Sequence, residues 1–137
     1  MTEIQSREMT EEQLLQQYPK LARVEKREPG SFREVKSFVL RGQKLKPYQI
    51  AAVKEHLDDY GVFFEDWSQA GFDFEKLFGN RNPVVIEIGF GMGEATLQIA
   101  KDNPDINYLG IEVFLYGFTK LLSNIHSENV KNLKIMR

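Results

Sequence analysis

A chain of 137 residues, 42% hydrophobic and 28% charged, has room for one compact domain and little for a second lobe. Its net charge of -2 excludes a global basic field, so any contact with nucleic acid must come from a local patch. The absence of cysteine removes disulfides, thiolate nucleophiles and cysteine metal sites. No apolar run nears the ~20 residues of a membrane span, and the polar, acidic N-terminus is unlike a signal peptide, so a soluble, cytoplasmic protein without membrane contact is expected.

Residues 1–30 read as a polar extension. Thr10-Glu11-Glu12-Gln13 forms a capping box ahead of Leu14 and Leu15, and Tyr18-Pro19 stops that helix because the residue before proline is pushed out of the α region. A solvated tail with one short helix is the expectation, with Glu25 to Gly30 as linker. Residues 31–82 follow as a second unit. Ser31 to Lys46 holds five basic residues against one acid, with Phe32, Phe38 and Leu40 to tack it onto a core. It reads either as an amphipathic surface segment or as a basic arm that touches phosphates. Pro47 suits a first helical turn, and Tyr48, Ile50, Ala51, Val53 and Leu57 recur at helical spacing up to a stop at Gly61. The aromatic-rich stretch from Val62 to Phe78, which includes Trp67, is expected to pack under the main domain, with Asp73 capping one turn that ends at Gly79.

From residue 83 to 137 the pattern changes. Val84-Val85-Ile86-Glu87-Ile88 is a continuous apolar run broken by one acid, the mark of a strand buried on both faces. A glycine-rich turn leads into a helix from Glu94 to Lys101. Ile106 to Glu112 reads as a second strand, Leu115 to Ile125 as a second helix with Phe118, Leu121, Leu122 and Ile125 on one face, and Leu133 to Met136 as a third strand. The order β-α-β-α-β is one mononucleotide-binding half of a doubly wound α/β sheet.

Gly89, Gly91 and Gly93 sit between that strand and helix, where a backbone must turn sharply and a ligand must approach without a Cβ in the way. A tight turn with no ligand is the plain alternative. Charge bears on which ligand would fit. Glu87 precedes the first glycine and Glu94 follows the last, so a pyrophosphate would meet two carboxylates, each close pair repelling by roughly 1 kcal/mol in water. S-adenosylmethionine carries an ammonium and a sulfonium and no phosphate. Glu112, at the end of the second strand, is placed to accept hydrogen bonds from ribose hydroxyls. Neither acid is expected to act as an acid–base catalyst. His56 and His126 lack metal-ligand spacing, and no metal site is expected.

EIGFGMG followed by YLGIEV, with SFVLRGQKL and FDFEKLFG upstream, resembles the bacterial tRNA (guanine-N7)-methyltransferases over roughly residues 30–137. The resemblance implies a Rossmann-like class I methyltransferase fold, of which residues 83–137 would be the N-terminal half behind a mainly helical extension. It implies methyl transfer from S-adenosylmethionine to N7 of guanine 46 in the tRNA variable loop. Glu87, Gly89, Gly91, Gly93 and Glu112 would hold the cofactor, and Arg33, Lys36, Arg41, Lys44 and Lys46 would contact the tRNA backbone. The family's catalytic aspartate motifs would lie past Arg137, so no catalytic residue is assigned and a truncated form of a longer enzyme is expected. Without a fourth strand beside it, Val84 to Ile88 would expose an apolar edge, and the isolated chain is expected to be poorly stable or self-associating. The oligomeric state stays open. The rival classes are a binding module that has lost methyl transfer and a dinucleotide oxidoreductase fragment.

Overall fold

The computed structural model describes residues 8–22 and 44–137. Helix α1 (Glu11–Gln17) begins where the sequence places it. Thr10 Oγ1 accepts from the Gln13 amide at 3.2 Å, and Gln13 Oε1 accepts from the Thr10 amide at 2.9 Å. A single 3₁₀ turn over Pro19–Leu21 follows. These residues are not the solvated tail expected of them. Leu14 and Leu21 are buried in the core, and Met9 pairs with Leu45 in an isolated antiparallel bridge. Leu14 and Leu21, with the partly buried Met9, Leu15 and Tyr18, dock this segment on the core.

Helix α2 (Pro47–Tyr60) buries Ala52, Val53 and Leu57 against α6 (Leu115–Ser127), whose apolar face is Leu115, Phe118, Leu121, Leu122 and Ile125. Gln49 is buried in that interface with every polar atom used. Its Oε1 accepts from the Lys46 amide at 2.8 Å, while its Nε2 donates to Tyr116 O at 3.0 Å and Thr119 Oγ1 at 3.1 Å. Such a side chain fixes the first turns of both helices against each other, because losing any partner would strand a buried polar group.

The sheet is wholly parallel in the order β1-β4-β3-β2, formed by β1 (Gly61–Val62), β2 (Val84–Ile88), β3 (Asn107–Ile111) and β4 (Leu133–Met136). Helix α5 (Glu94–Asp102) connects β2 to β3, and α6 connects β3 to β4. The β-α-β-α-β half read from sequence is therefore present as an α/β unit. Gly61, expected only as a helix stop, also opens β1: its φ of -82° is extended, and it pairs with Ile135 while Val62 pairs with Met136.

Two further expectations do not hold in full. Strand β2 is not buried on both faces. Among the described residues it pairs only with β3, and Val85, Ile86 and Ile88 are 44%, 50% and 81% exposed. The apolar edge foreseen for this strand is thus real. The aromatic stretch packs on the core only at its start, where Val62 is buried and Phe63 lies against the core cluster. Helices α3 (Phe64–Trp67) and α4 (Phe74–Phe78) bury no residue. Their rings stack on each other instead, Trp67 on Phe72 at 5.9 Å and Phe72 on Phe74 at 6.0 Å, leaving Phe64 62% exposed. Rings spaced this closely along the chain reach one another more readily than the core.

Candidate cofactor site

Ligands of open parallel sheets bind beyond the carboxyl ends of the strands. Here β2 ends in the glycine turn and β3 ends at Glu112. Gly89, Gly91 and Gly93 all have positive φ, at 83°, 64° and 82°, a region that L side chains rarely enter. A Cβ on Gly89 or Gly91 would meet nothing within 4 Å, so space is open in the direction in which a side chain would project from the turn. Gly93 answers a different need, since a Cβ there would sit 2.6 Å from Leu121 of α6.

The two acids stand on neighbouring strands, with Glu87 in register with Gly110, two residues before Glu112. Glu112 Oε1 accepts from the Gly91 amide at 2.7 Å, and its Oε2 accepts from the Phe114 amide at 3.1 Å. One carboxylate therefore ties the apex of the turn to the N-cap of α6, where the helix dipole favours negative charge. Glu87 Oε2 accepts from the Thr96 hydroxyl at 2.6 Å, which binds the strand tip to the first turn of α5. Glu94 behaves otherwise. Its side chain is 77% exposed and pairs with Lys120 at 3.7 Å, so it adds little to the negative charge at the turn.

Sequence reasoning passed over two residues. Gly117, in the first turn of α6, lies so close to the turn that a Cβ would fall 2.0 Å from Gly91 O. A glycine inside an apolar helix is the signal that could have found it. Thr96 had no signal, because a threonine early in a helix is ordinary.

Next to Glu112, a cavity of 410 Å³ opens at Val62, Ile111 and Met136, the last residues of β1, β3 and β4, walled further by Phe63, Phe64 and Val113. Of the basic residues, Lys44 and Lys46 are exposed on either side of buried Leu45. Gln49 links the Lys46 amide to Tyr116 O and so holds them near the first turn of α6. Arg33, Lys36 and Arg41 lie outside the described residues. The structure thus brings Glu87, the three glycines and Glu112 to one edge of the sheet. His56 and His126 stack on each other at 3.6 Å, and among the described residues no group of three or more His, Cys, Asp or Glu is arranged to hold a metal. No helix there is long and apolar enough to cross a membrane.

A family model described as "Putative methyltransferase" matches residues 81–137. The chain is 41% identical over 104 residues to a tRNA (guanine-N(7)-)-methyltransferase of Actinobacillus succinogenes, a stretch that is 76% of this chain and 40% of that protein. The matched residues are similar to the N-terminal half of the tRNA (guanine-N7)-methyltransferases. Proteins of the same description from Actinobacillus pleuropneumoniae and Pasteurella multocida are each 43% identical over 104 residues, with the same shares of both chains. The chain therefore spans about 40% of the length of the curated relatives it matches.

Proposed function

We propose that this chain forms the S-adenosylmethionine-binding part of a tRNA (guanine-N7)-methyltransferase acting in the cytoplasm. One observation carries the reading: Glu87 and Glu112 stand at the ends of adjacent strands beside a glycine turn with open space over it. Both carboxylates keep acceptor capacity, because each ionised carboxylate offers about four lone-pair sites. Glu87 Oε1 is available to an ammonium, and Glu112 can take ribose hydroxyls on its remaining lone pairs. Ile111, Val113 and Met136 offer apolar walls to a flat purine in a cavity that Lys20, Glu65 and Arg137 also line. Strands ~4.8 Å apart put the ends of β2 and β4 about 10 Å from each other, a span that an extended nucleoside with an amino-acid tail can bridge. A dinucleotide would instead bring its pyrophosphate to a turn beside the Glu87 carboxylate, with the Lys120-paired Glu94 adding little to the repulsion.

S-adenosylmethionine supplies the methyl group. The chain's own part is to bind and align, since guanine N7 carries a lone pair at neutral pH and needs no strong base to uncover it. The relatives are named for methylation of tRNA at guanine N7. Guanine 46 of the variable loop is the substrate position proposed here, with Lys44 and Lys46, together with Arg33, Lys36 and Arg41, as phosphate contacts.

Calorimetry with S-adenosylhomocysteine and with NAD tests the cofactor. Binding of the former alone supports the reading, and binding of NAD alone overturns it. Transfer of labelled methyl to unmodified tRNA then separates an enzyme from a binding module, which would bind cofactor and transfer nothing.

A further inference from the structure

The hydroxyl of Thr96 is the shortest polar contact at the site, and the cofactor reading gives it no task. It lies 2.6 Å from Glu87 Oε2, on a residue only 2% exposed. That length is typical of a charge-assisted O–H···O⁻ bond. Burial leaves the hydroxyl no access to bulk water, and Glu87 is its hydrogen-bond partner in the structure. Thr96 occupies the third position of α5, whose first turn follows Gly93 directly, so the contact crosses the glycine turn from helix to strand.

We propose that Thr96 is a positioning residue that holds the Glu87 carboxylate in the rotamer that receives the ammonium of the cofactor's amino-acid end. The proposal rests on the cofactor reading above. Glutamate on a strand tip has three side-chain torsions, and its terminal one is broad. A buried donor on Oε2 selects one orientation and leaves Oε1 turned to the ligand. Without it, the carboxylate would have to be ordered at the moment of binding, and part of its charge would face a buried spot with no donor.

The test uses the 137-residue chain, three variants and two probes. S-adenosylhomocysteine carries the α-ammonium; 5′-methylthioadenosine keeps the adenosine and thioether but lacks the amino-acid end. Thr96→Val preserves the β-branch and removes the donor, whereas Thr96→Ser preserves the donor. Thr96→Val should weaken S-adenosylhomocysteine by about tenfold, the low end of what orienting partners contribute at metal sites. It should leave 5′-methylthioadenosine within about twofold, and Thr96→Ser should restore the first affinity. Equal weakening of both probes would mark a packing role and overturn the proposal. Unchanged or tighter S-adenosylhomocysteine binding would overturn it too, the latter because the hydroxyl would then be a competitor. Should Thr96→Val fail to fold, Thr96→Cys, with its weak donor, takes its place in the same comparison. If the unmodified chain binds neither probe, the cofactor reading itself fails, a result distinct from all of these.

Discussion

Substituting Gly117 by alanine should separate the stability of α6 from the shape of the glycine turn. In an exposed helix the change would stabilise by about 1 kcal/mol, because alanine loses less backbone freedom. Here the new Cβ would stand 2.0 Å from Gly91 O and 2.9 Å from its carbonyl carbon. Carbon–oxygen contacts settle near ~3.3 Å, so helix and turn must part by roughly 1.3 Å. Overpacking of that kind costs about 1–3 kcal/mol, which outweighs the propensity gain by up to about 2 kcal/mol. At about 4 °C per kcal/mol for a domain of this size, the melting point should fall by a few degrees. Affinity should suffer more, because Gly91 carries the amide that Glu112 grips. We expect S-adenosylhomocysteine binding to weaken at least tenfold, read by calorimetry beside a thermal melt. Gly79→Ala is the control. It strains a left-handed residue at φ 77° with nothing within 4 Å, and should lower the melting point without touching affinity. A Gly117→Ala chain that melts higher and binds as before would refute the reasoning.

Three further changes probe the other parts. Glu112→Gln leaves either the Gly91 or the Phe114 amide without its acceptor, since an amide offers one oxygen where the carboxylate offers two; stability should drop by about 1–3 kcal/mol and S-adenosylhomocysteine affinity at least tenfold. Unchanged melting and binding would remove Glu112 from the site. Removing both Lys44 and Lys46 should weaken tRNA binding across sequences and flatten the log–log salt dependence by about 1.5–2, filter binding at several salt concentrations being the check. An unaltered slope would exclude them as phosphate contacts. The chain should associate in a concentration-dependent way through β2, and Ile86→Lys with Ile88→Lys should suppress it in sedimentation runs. A parent chain that stays monomeric and melts cooperatively at high temperature would show that this edge is harmless.

What sequence made legible was whatever repeats. The run Val84–Ile88, the spacing of Phe118, Leu121, Leu122 and Ile125, and the glycines between strand and helix each carry their signal over several residues, and each element formed where expected. What it concealed depends on single residues meeting across space. Strand β1 is two residues long and exists only because Ile135 and Met136 lie beside it. Gly117 reads as a poor helix former until Gly91 O is placed against it. The aromatic segment misled because composition tells how apolar a stretch is but not whether its rings prefer one another to the core.

Glu112 explains why such a site can be ready before anything binds. A lone carboxylate at a strand end would be hydrated and mobile, and a ligand would have to displace water and order the side chain together. This one is already held by two backbone amides, one from the turn that would carry the amino-acid end and one from the N-cap of α6. Neither bond need break for ribose hydroxyls to be accepted, because each oxygen retains a lone pair. The ordering cost has thus been met by folding, and the same two bonds make the turn's conformation depend on the acid. Turn, acid and helix form one unit, whose affinity for an adenosyl group and whose resistance to unfolding should fall together when any of the three is disturbed.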